Sequence, residues 1–323
     1  MPTPPPVPLI LDMDFGIDDS MATLYLVGSG RAEIVAVGTV HGNTSAAQAA
    51  RNARQLLSVL GLEDVPVARG EPEPWNQAVH YAAAVHGEDG IGGMASTDEP
   101  PGSIVDSTAA EQIVRLARER PGELVLLATG PLTNLGRAFE IEPGLDALLR
   151  AIVVMGGAVA TPGNMSPHAE ANIRHDPEAA DRVFASARNL ILVPLDITMT
   201  CRITPAQMRR IEAAPSSPAV DLVRAMLPQY LDFNLADLGI PGFPLHDPTA
   251  AVIALDPHVA DYLEAPVRVE LDGTLTRGMT SVDRRPAPDA SVRPAVRIAV
   301  RARRSVVEEF VQVAFERPTR PRE

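Results

Sequence analysis

The 323-residue chain reads as an α/β protein, a mostly parallel sheet flanked by helices. Three observations lead there. Apolar runs of strand length alternate with helical stretches in β-α-β-α order. Several of those runs are apolar on both faces, as strands covered by helices on each side must be. No internal repeat and no Pro/Ser/Gly-rich linker divides the chain, so a single domain over residues 1–323 is expected, with a frayed tail from about residue 316.

The elements follow in order. LILDMD is the first strand, SMATLYLVG lies in the first helix, and EIVAVGTVHGN is the second strand. SAAQAARNARQLLSVLG continues as a helix, and DVPVARG as a short strand. A loop rich in glycine and acids precedes AAEQIVRLARER, whose apolar spacing of three and four marks a helix. ELVLLATGP, a helix from Leu132 to Glu140, AIVVMGGAV, a helix around DPEAADRVFASAR and LILVPLDIT extend the alternation. Residues 204–240 read as helical but broken at Pro215, Pro218 and Pro228. His246-Asp247-Pro248 opens a further helix. APVRVELDG and AVRIAVRAR lean towards strand, and SVVEEFVQVAF towards helix.

Composition narrows the function. A net charge of −13 argues against a nucleic-acid surface. All 28 basic residues are arginine, so no chemistry that needs a catalytic lysine is open to this chain. No uncharged apolar stretch is long enough to span a membrane. The amino end lacks the basic and apolar regions of a secretory signal, and the lone Cys201 suits a reducing compartment, so a cytoplasmic location is expected.

The strand ends carry the chemistry. Asp12, Asp14, Asp18 and Asp19 crowd into eight positions at the end of the first run. Such charges repel, and desolvating them is costly unless a cation sits among them. Other strands end in His41-Gly42-Asn43, Thr129-Gly130 and Met155-Gly156-Gly157, the last leading to Asn164, Glu170 and Asn172. Open parallel sheets bind ligands beyond these carboxyl ends. Carboxylates, amides and a loop carbonyl are hard oxygen donors, suited to calcium or magnesium rather than zinc. Helix capping alone would account for Asp18, Asp19 and Asp247, but not for Asp12 and Asp14 on alternate positions of the strand end. An Asp-x-Asp at a strand end also resembles the haloacid-dehalogenase-type phosphatases, but their usual lysine is missing. Gly28-Ser29-Gly30 is followed by Glu33, which breaks a dinucleotide-binding fingerprint.

Asp12-Met13-Asp14-Phe15-Gly16-Ile17-Asp18-Asp19 resembles the Asp-x-Asp-x-Gly-x-Asp-Asp signature of the inosine-uridine-preferring nucleoside hydrolases. Thr39-Val40-His41-Gly42-Asn43, His86-Gly87-Glu88-Asp89-Gly90, Ala128 to Asn134, Val154 to Gly157, Gly163 to Pro167, Ala169 to Asn172, Asp176 to Ala180 and Pro244 to Pro248 are similar to further blocks of that family, in family order.

The resemblance implies a Rossmann-like nucleoside hydrolase fold and hydrolysis of the N-glycosidic bond of ribonucleosides in nucleoside salvage. It also implies a homodimer or homotetramer. Asp14, Asp19 and Asp247 would hold Ca2+ by side chain and Thr129 by its carbonyl, with Asp14 also taking the proton of the attacking water. Asp12 and Asp18 would support the metal and the ribose hydroxyls. Asn43, Met155, Asn164, Glu170 and Asn172 would line the sugar. His246, with His86 as the second candidate, would protonate the departing base. Deoxynucleosides should then be poor substrates, because they leave metal ligands unfilled.

His80, His168, His175 and His258 lie outside these blocks and read as surface or structural. Phe15 stands where proline is common in the family and reads as a packing residue. Met199 stands where many members carry histidine, a departure that bears on base selectivity. Trp75, Tyr81, Tyr230 and Phe233 read either as a lid that stacks on a base or as ordinary packing. Action on a modified riboside, or calcium-dependent ribose binding without turnover, are the competing readings.

Overall fold

In the computed structural model, which describes residues 5–239, 241–285 and 293–317, the apolar runs become strands β1 (Val7–Met13), β2 (Ala32–Thr39), β3 (Val67–Arg69), β4 (Ile104–Val105), β5 (Val125–Ala128), β6 (Ala151–Met155) and β7 (Leu190–Val193). β8 (Arg202–Ile203) and β9 (Phe243–Pro244) pair as a small antiparallel ribbon. β10 (Ala260–Val269), β11 (Thr280–Val282) and β12 (Ala295–Ala302) follow.

Among the described residues the main sheet has ten strands in the order β11-β10-β12-β7-β6-β5-β1-β2-β3-β4. From β12 to β4 every pairing is parallel; β10 runs antiparallel to both β12 and β11. The β-leaning carboxyl end of the sequence is thus an antiparallel flank on a parallel core.

β1 shows why the runs become strands. Leu9, Leu11 and Met13 point into one apolar layer and Ile10 into the other, all fully buried. Side chains alternate along a strand, so a run apolar at every position satisfies helices on both faces.

The order also fixes where a ligand can enter. After β1 the chain builds β2, β3 and β4 on one side, then returns to place β5 on the other side of β1. The carboxyl ends of β1 and β5 therefore border the topological switch point, where such sheets open a crevice. The Thr129 N–H donates to the Asp12 carbonyl at 3.0 Å across that junction. The helices Ile17–Ser29 and His246–Leu255 pack against each other, and each carries acids in its first turn.

The carboxyl-terminal region corrects one expectation. Pro215 lies between helices and Pro218 begins one, but Pro228 sits inside a continuous helix, Pro218–Leu238. A proline within a helix costs about 3 kcal/mol. Burial of Val220, Val223, Met226, Leu227 and Tyr230 along the same helix offsets that loss. Helical structure continues to Glu316, and residues 318–323 of the expected tail lie outside the described residues. No described helix is long and apolar enough to cross a membrane.

Candidate active site

The turn after β1 is built by close approach. Phe15 has φ of +42°, the only non-glycine residue in the left-handed region among those described. A proline, with φ held near −65°, could not make this turn. Its side chain is fully buried, as a packing residue should be. At Gly16 a Cβ would stand 2.8 Å from His86 Nδ1 and into the Asn43 amide, so only glycine fits where these three segments meet.

The turn delivers two acids to the start of Ile17–Ser29. Asp19 Oδ2 accepts from Gly16 N–H at 2.7 Å, so the capping role is real. Its other oxygen accepts from the Thr129 hydroxyl at 2.6 Å. Carboxylate oxygens of Asp18, Asp19 and Asp247 lie within 4.8 Å of one another, all buried. Asp247 makes no capping bond; it sits in the first turn of His246–Leu255, so the positive ends of two helix dipoles face the same cluster.

Asp14 stands against Asp19, and Asn43 holds both of its oxygens, through its backbone N–H at 2.7 Å and its amide at 3.0 Å. The converging trio shares Asp19 and Asp247 with the Asp14–Asp19–Asp247 set implied by the family signature and adds Asp18, while Asp14 adjoins Asp19. The Thr129 carbonyl, the fourth expected ligand, accepts from Asn172 Nδ2 at 2.6 Å.

These carboxyls are electrostatically unsatisfied. Burial, followed by the charges of their neighbours, holds Asp14 and Asp247 well above the usual carboxylate range. Burial raises Asp18 and Asp19 to about 6. Asp18 Oδ1 is buried without a hydrogen-bond partner. His86 lies 4.0 Å from Asp18, but its Nδ1 already accepts from Ile17 N–H. Converging hard oxygens, mutual repulsion, an orphaned lone pair and no paired arginine together fit a divalent cation.

Asp12 behaves differently. It accepts from Asn134 Nδ2 at 2.7 Å beneath the sheet rim, and burial pushes its carboxyl up to about 7. It holds β1 to the helix Thr133–Ile141 and, like Asp14 and Asp19, sits behind the residues that line the cavity.

Above the carboxylates opens a cavity of about 580 Å³. Asp18, Asn43, Thr129 and Asp247 line its acidic side, and Met155, Asn164, Glu170 and Asn172 a second wall. Glu170 caps the helix Ala171–His175 and accepts backbone N–H bonds from Gly157, Asn172 and Ile173 at 2.8, 2.9 and 3.1 Å. The Asn172 amide donates to the carbonyls of Thr129 and Met155, leaving its Oδ1 as the free end.

His86 and His246 both reach the cavity. Because His86 Nδ1 accepts a backbone N–H, its proton sits on Nε2. His246 Nδ1 lies 2.8 Å from the Thr198 hydroxyl. Burial lowers each ring to about 4, so both are neutral at neutral pH. The Tyr230 ring stacks on His86 at 5.5 Å, and Phe233, Tyr81 and Met199 also face the cavity.

Two residues left open by the sequence find their places here. Trp75 lies under Arg137, whose guanidinium is 4.8 Å from its ring, and packs on Gly136 away from the cavity. His175, read as surface or structural, is 6% exposed and lines the cavity. The signal was present: His175 follows Asn172 by three residues, on the same helix face. Asn52 was also missed. Its amide donates to the carbonyls of Phe15 and Asp89, at 3.3 and 2.8 Å, and so ties the β1 turn to the His86 loop.

The family model described as inosine-uridine preferring nucleoside hydrolase matches residues 9–310. Uridine nucleosidase 1 of Arabidopsis thaliana is 38% identical over 266 residues, which are 82% of this chain and 79% of the relative. A solved plant nucleoside hydrolase superposes with a TM-score of 0.89 at 31% identity, covering 96% of this chain and 99% of the other. A purine-preferring ribonucleoside hydrolase from Gardnerella vaginalis gives 0.86 at 29% identity, with 95% and 98% covered. With carboxylates and cavity lying where β1 and β5 part, the chain belongs to the inosine-uridine-preferring nucleoside hydrolase family, enzymes that hydrolyse the N-glycosidic bond of ribonucleosides.

Proposed function

We propose that this chain is a calcium-dependent ribonucleoside N-ribohydrolase whose metal is held by the aspartates around the β1 turn and by Asp247. The observation that carries the reading is the convergence of Asp18, Asp19 and Asp247 below the cavity, with Asp18 Oδ1 left unpartnered. Asp14 adjoins Asp19, and Thr129 bonds the other side of Asp19 through its hydroxyl; with the Thr129 carbonyl they would complete an all-oxygen donor set of the kind calcium takes. A bound divalent cation would supply Lewis acidity, binding the ribose diol and making a water more acidic.

The chain's own groups do the rest. Asp14, fixed by two bonds from Asn43, removes the proton of the attacking water. The clustered carboxylates stabilise the positive charge that grows on the sugar as the glycosidic bond breaks. Glu170, Asn172 and Asn164 hold the ribose along the second wall. On the base side, His246 and His86 act as neutral Nε2–H donors that stabilise the departing base. In this reading the Thr198 hydroxyl, 2.8 Å from His246 Nδ1, donates to that nitrogen and leaves the ring hydrogen on Nε2.

Mixing the protein with inosine or uridine and assaying free ribose tests the reading. Release that falls on thorough chelation and returns with calcium supports it. No release from any common ribonucleoside removes the hydrolytic reading, and release indifferent to chelation removes the metal.

A further inference from the structure

Three segments bring residues to the cavity: the end of β2 with Asn43, the loop after β5 with Thr129, and the helix Ala171–His175 with Asn172. Close to each of these residues in the chain stands a buried polar side chain that does not line the cavity. His41 comes two residues before Asn43, Thr133 four after Thr129, and Asp176 four after Asn172. These three meet one another.

The direction of their bonds is fixed. The Asp176 carboxylate accepts from the backbone N–H groups of Trp75 and Ala179, both at 3.1 Å, and the Thr133 hydroxyl lies 2.8 Å from it. A hydroxyl has one hydrogen, and Thr133 gives it to that carboxylate. Toward His41 Nε2, 3.0 Å away, its oxygen can only accept. His41 therefore donates from Nε2, and its Nδ1 is a bare acceptor, buried and without a partner. Burial, helped by the neighbouring His175, lowers the ring to about 3, so it stays neutral and no second hydrogen caps that nitrogen.

A fully buried ring with one unsatisfied nitrogen is a costly occupant of a site where an apolar side chain would pack. What only the histidine supplies is the Nε2–H bond. Through Thr133 and Asp176 that bond ties the end of β2 to the starts of the helices Thr133–Ile141 and Pro177–Ser186. Beyond His41 the chain passes Gly42, where a Cβ would run into Asp14, and reaches Asn43, whose N–H and amide hold both Asp14 oxygens.

We propose that His41 is a positioning residue: clamped through Thr133 to Asp176, it fixes the end of β2 so that Asn43 keeps Asp14 in place. This rests on the reading of Asp14 as the base of the hydrolysis.

The first test is ribose release. His41→Leu should lower kcat about tenfold with KM nearly unchanged, the value of one neutral hydrogen bond. His41→Gln, whose amide nitrogen has the same reach as Nε2, should restore it. In an Asn43→Ala background His41→Leu should cost nothing further, because residues that act as a unit are not additive. An unchanged kcat, a loss that glutamine does not restore, or the full loss persisting beside Asn43→Ala overturns the inference. Where His41→Leu does not fold, Thr133→Val breaks the same chain one bond further on and is read the same way.

Amide hydrogen exchange needs neither turnover nor metal. The Asn43 N–H should exchange about tenfold faster in His41→Leu and return to the wild-type rate in His41→Gln, while the amides of β10 and β12 keep their rates. An Asn43 rate that does not move overturns the inference, and so does an equal acceleration of all these amides, which marks a general loss of stability. Wild-type protein that releases no ribose would remove the hydrolytic reading, and the exchange of Asn43 would still decide for or against the clamp.

Discussion

The acids at the β1 turn and those of the antiparallel flank are the same residue types in opposite circumstances. On the flank, Asp261 of β10 takes three bonds, from Arg301 at 2.9 and 2.6 Å and from Arg303 at 2.6 Å. These guanidinium groups hold its carboxyl below the usual range. Arg293 grips Asp181 with bonds of 2.7 and 2.6 Å. In the crevice no arginine pairs with Asp14, Asp18, Asp19 or Asp247 among the described residues, and every one of those carboxyls is raised. Arginine serves the flank as a structural clamp. The crevice keeps its charge uncompensated, which is what a cation site needs before the cation arrives.

The contrast is open to attack by mutation. The largest effect should come from Asp14→Ala, which removes the base and costs about 10³-fold in kcat for ribose release. Asp261→Ala should leave kcat unchanged. Equal losses from the two would erase the distinction between poised and clamped acids.

Next comes stability. In the metal-free protein Asp247→Asn should raise Tm, because it removes one of several repelling buried charges, while abolishing the stabilisation that calcium confers. Asp261→Asn should do the reverse on a smaller scale, lowering Tm slightly and leaving the calcium effect intact. Thermal unfolding with and without calcium reads all four values.

The pH dependence sharpens the same point. The crevice carboxyls have folded-state values above their unfolded ones, so without metal the folded chain binds more protons in that window. Their contribution to stability is therefore lost as pH rises from about 4 through about 6, the folded value of Asp18 and Asp19. A cation displaces those protons, so calcium-induced stabilisation should grow between about pH 5 and about pH 7.5. A flat response would remove the carboxylates from the site.

The smallest expected effect is that of Thr198→Val. It frees the His246 tautomer and should lower kcat about tenfold with little change in KM.

The strands were legible because their residues are apolar at successive positions, a local property. The crevice was legible for a similar reason: acids and amides follow directly on strand ends, and parallel sheets present those ends together. The resemblance to a known signature then supplied roles for Asp14, Asn43 and Asp247 that spacing alone does not. Residue type left Trp75 open between two readings and misjudged Pro228. An aromatic ring in a loop is free to pack anywhere its partner lies, and a helix breaker is tolerated where the rest of the helix is well buried.

What the sequence determined by itself was the alternation of elements, the acid-rich strand end and the absence of lysine, since each is written in consecutive residues. The tertiary structure decided which acids meet. Asp12 and Asp14 lie two residues apart, yet one binds Asn134 inside the fold and the other is held by Asn43 at the site. Asp18 and Asp247 are far apart in the chain, yet share the cluster because the helices that carry them pack together. His175 entered the cavity wall the same way. Burial and proximity arise from long-range packing, and they set the protonation and the free lone pairs on which the chemistry depends.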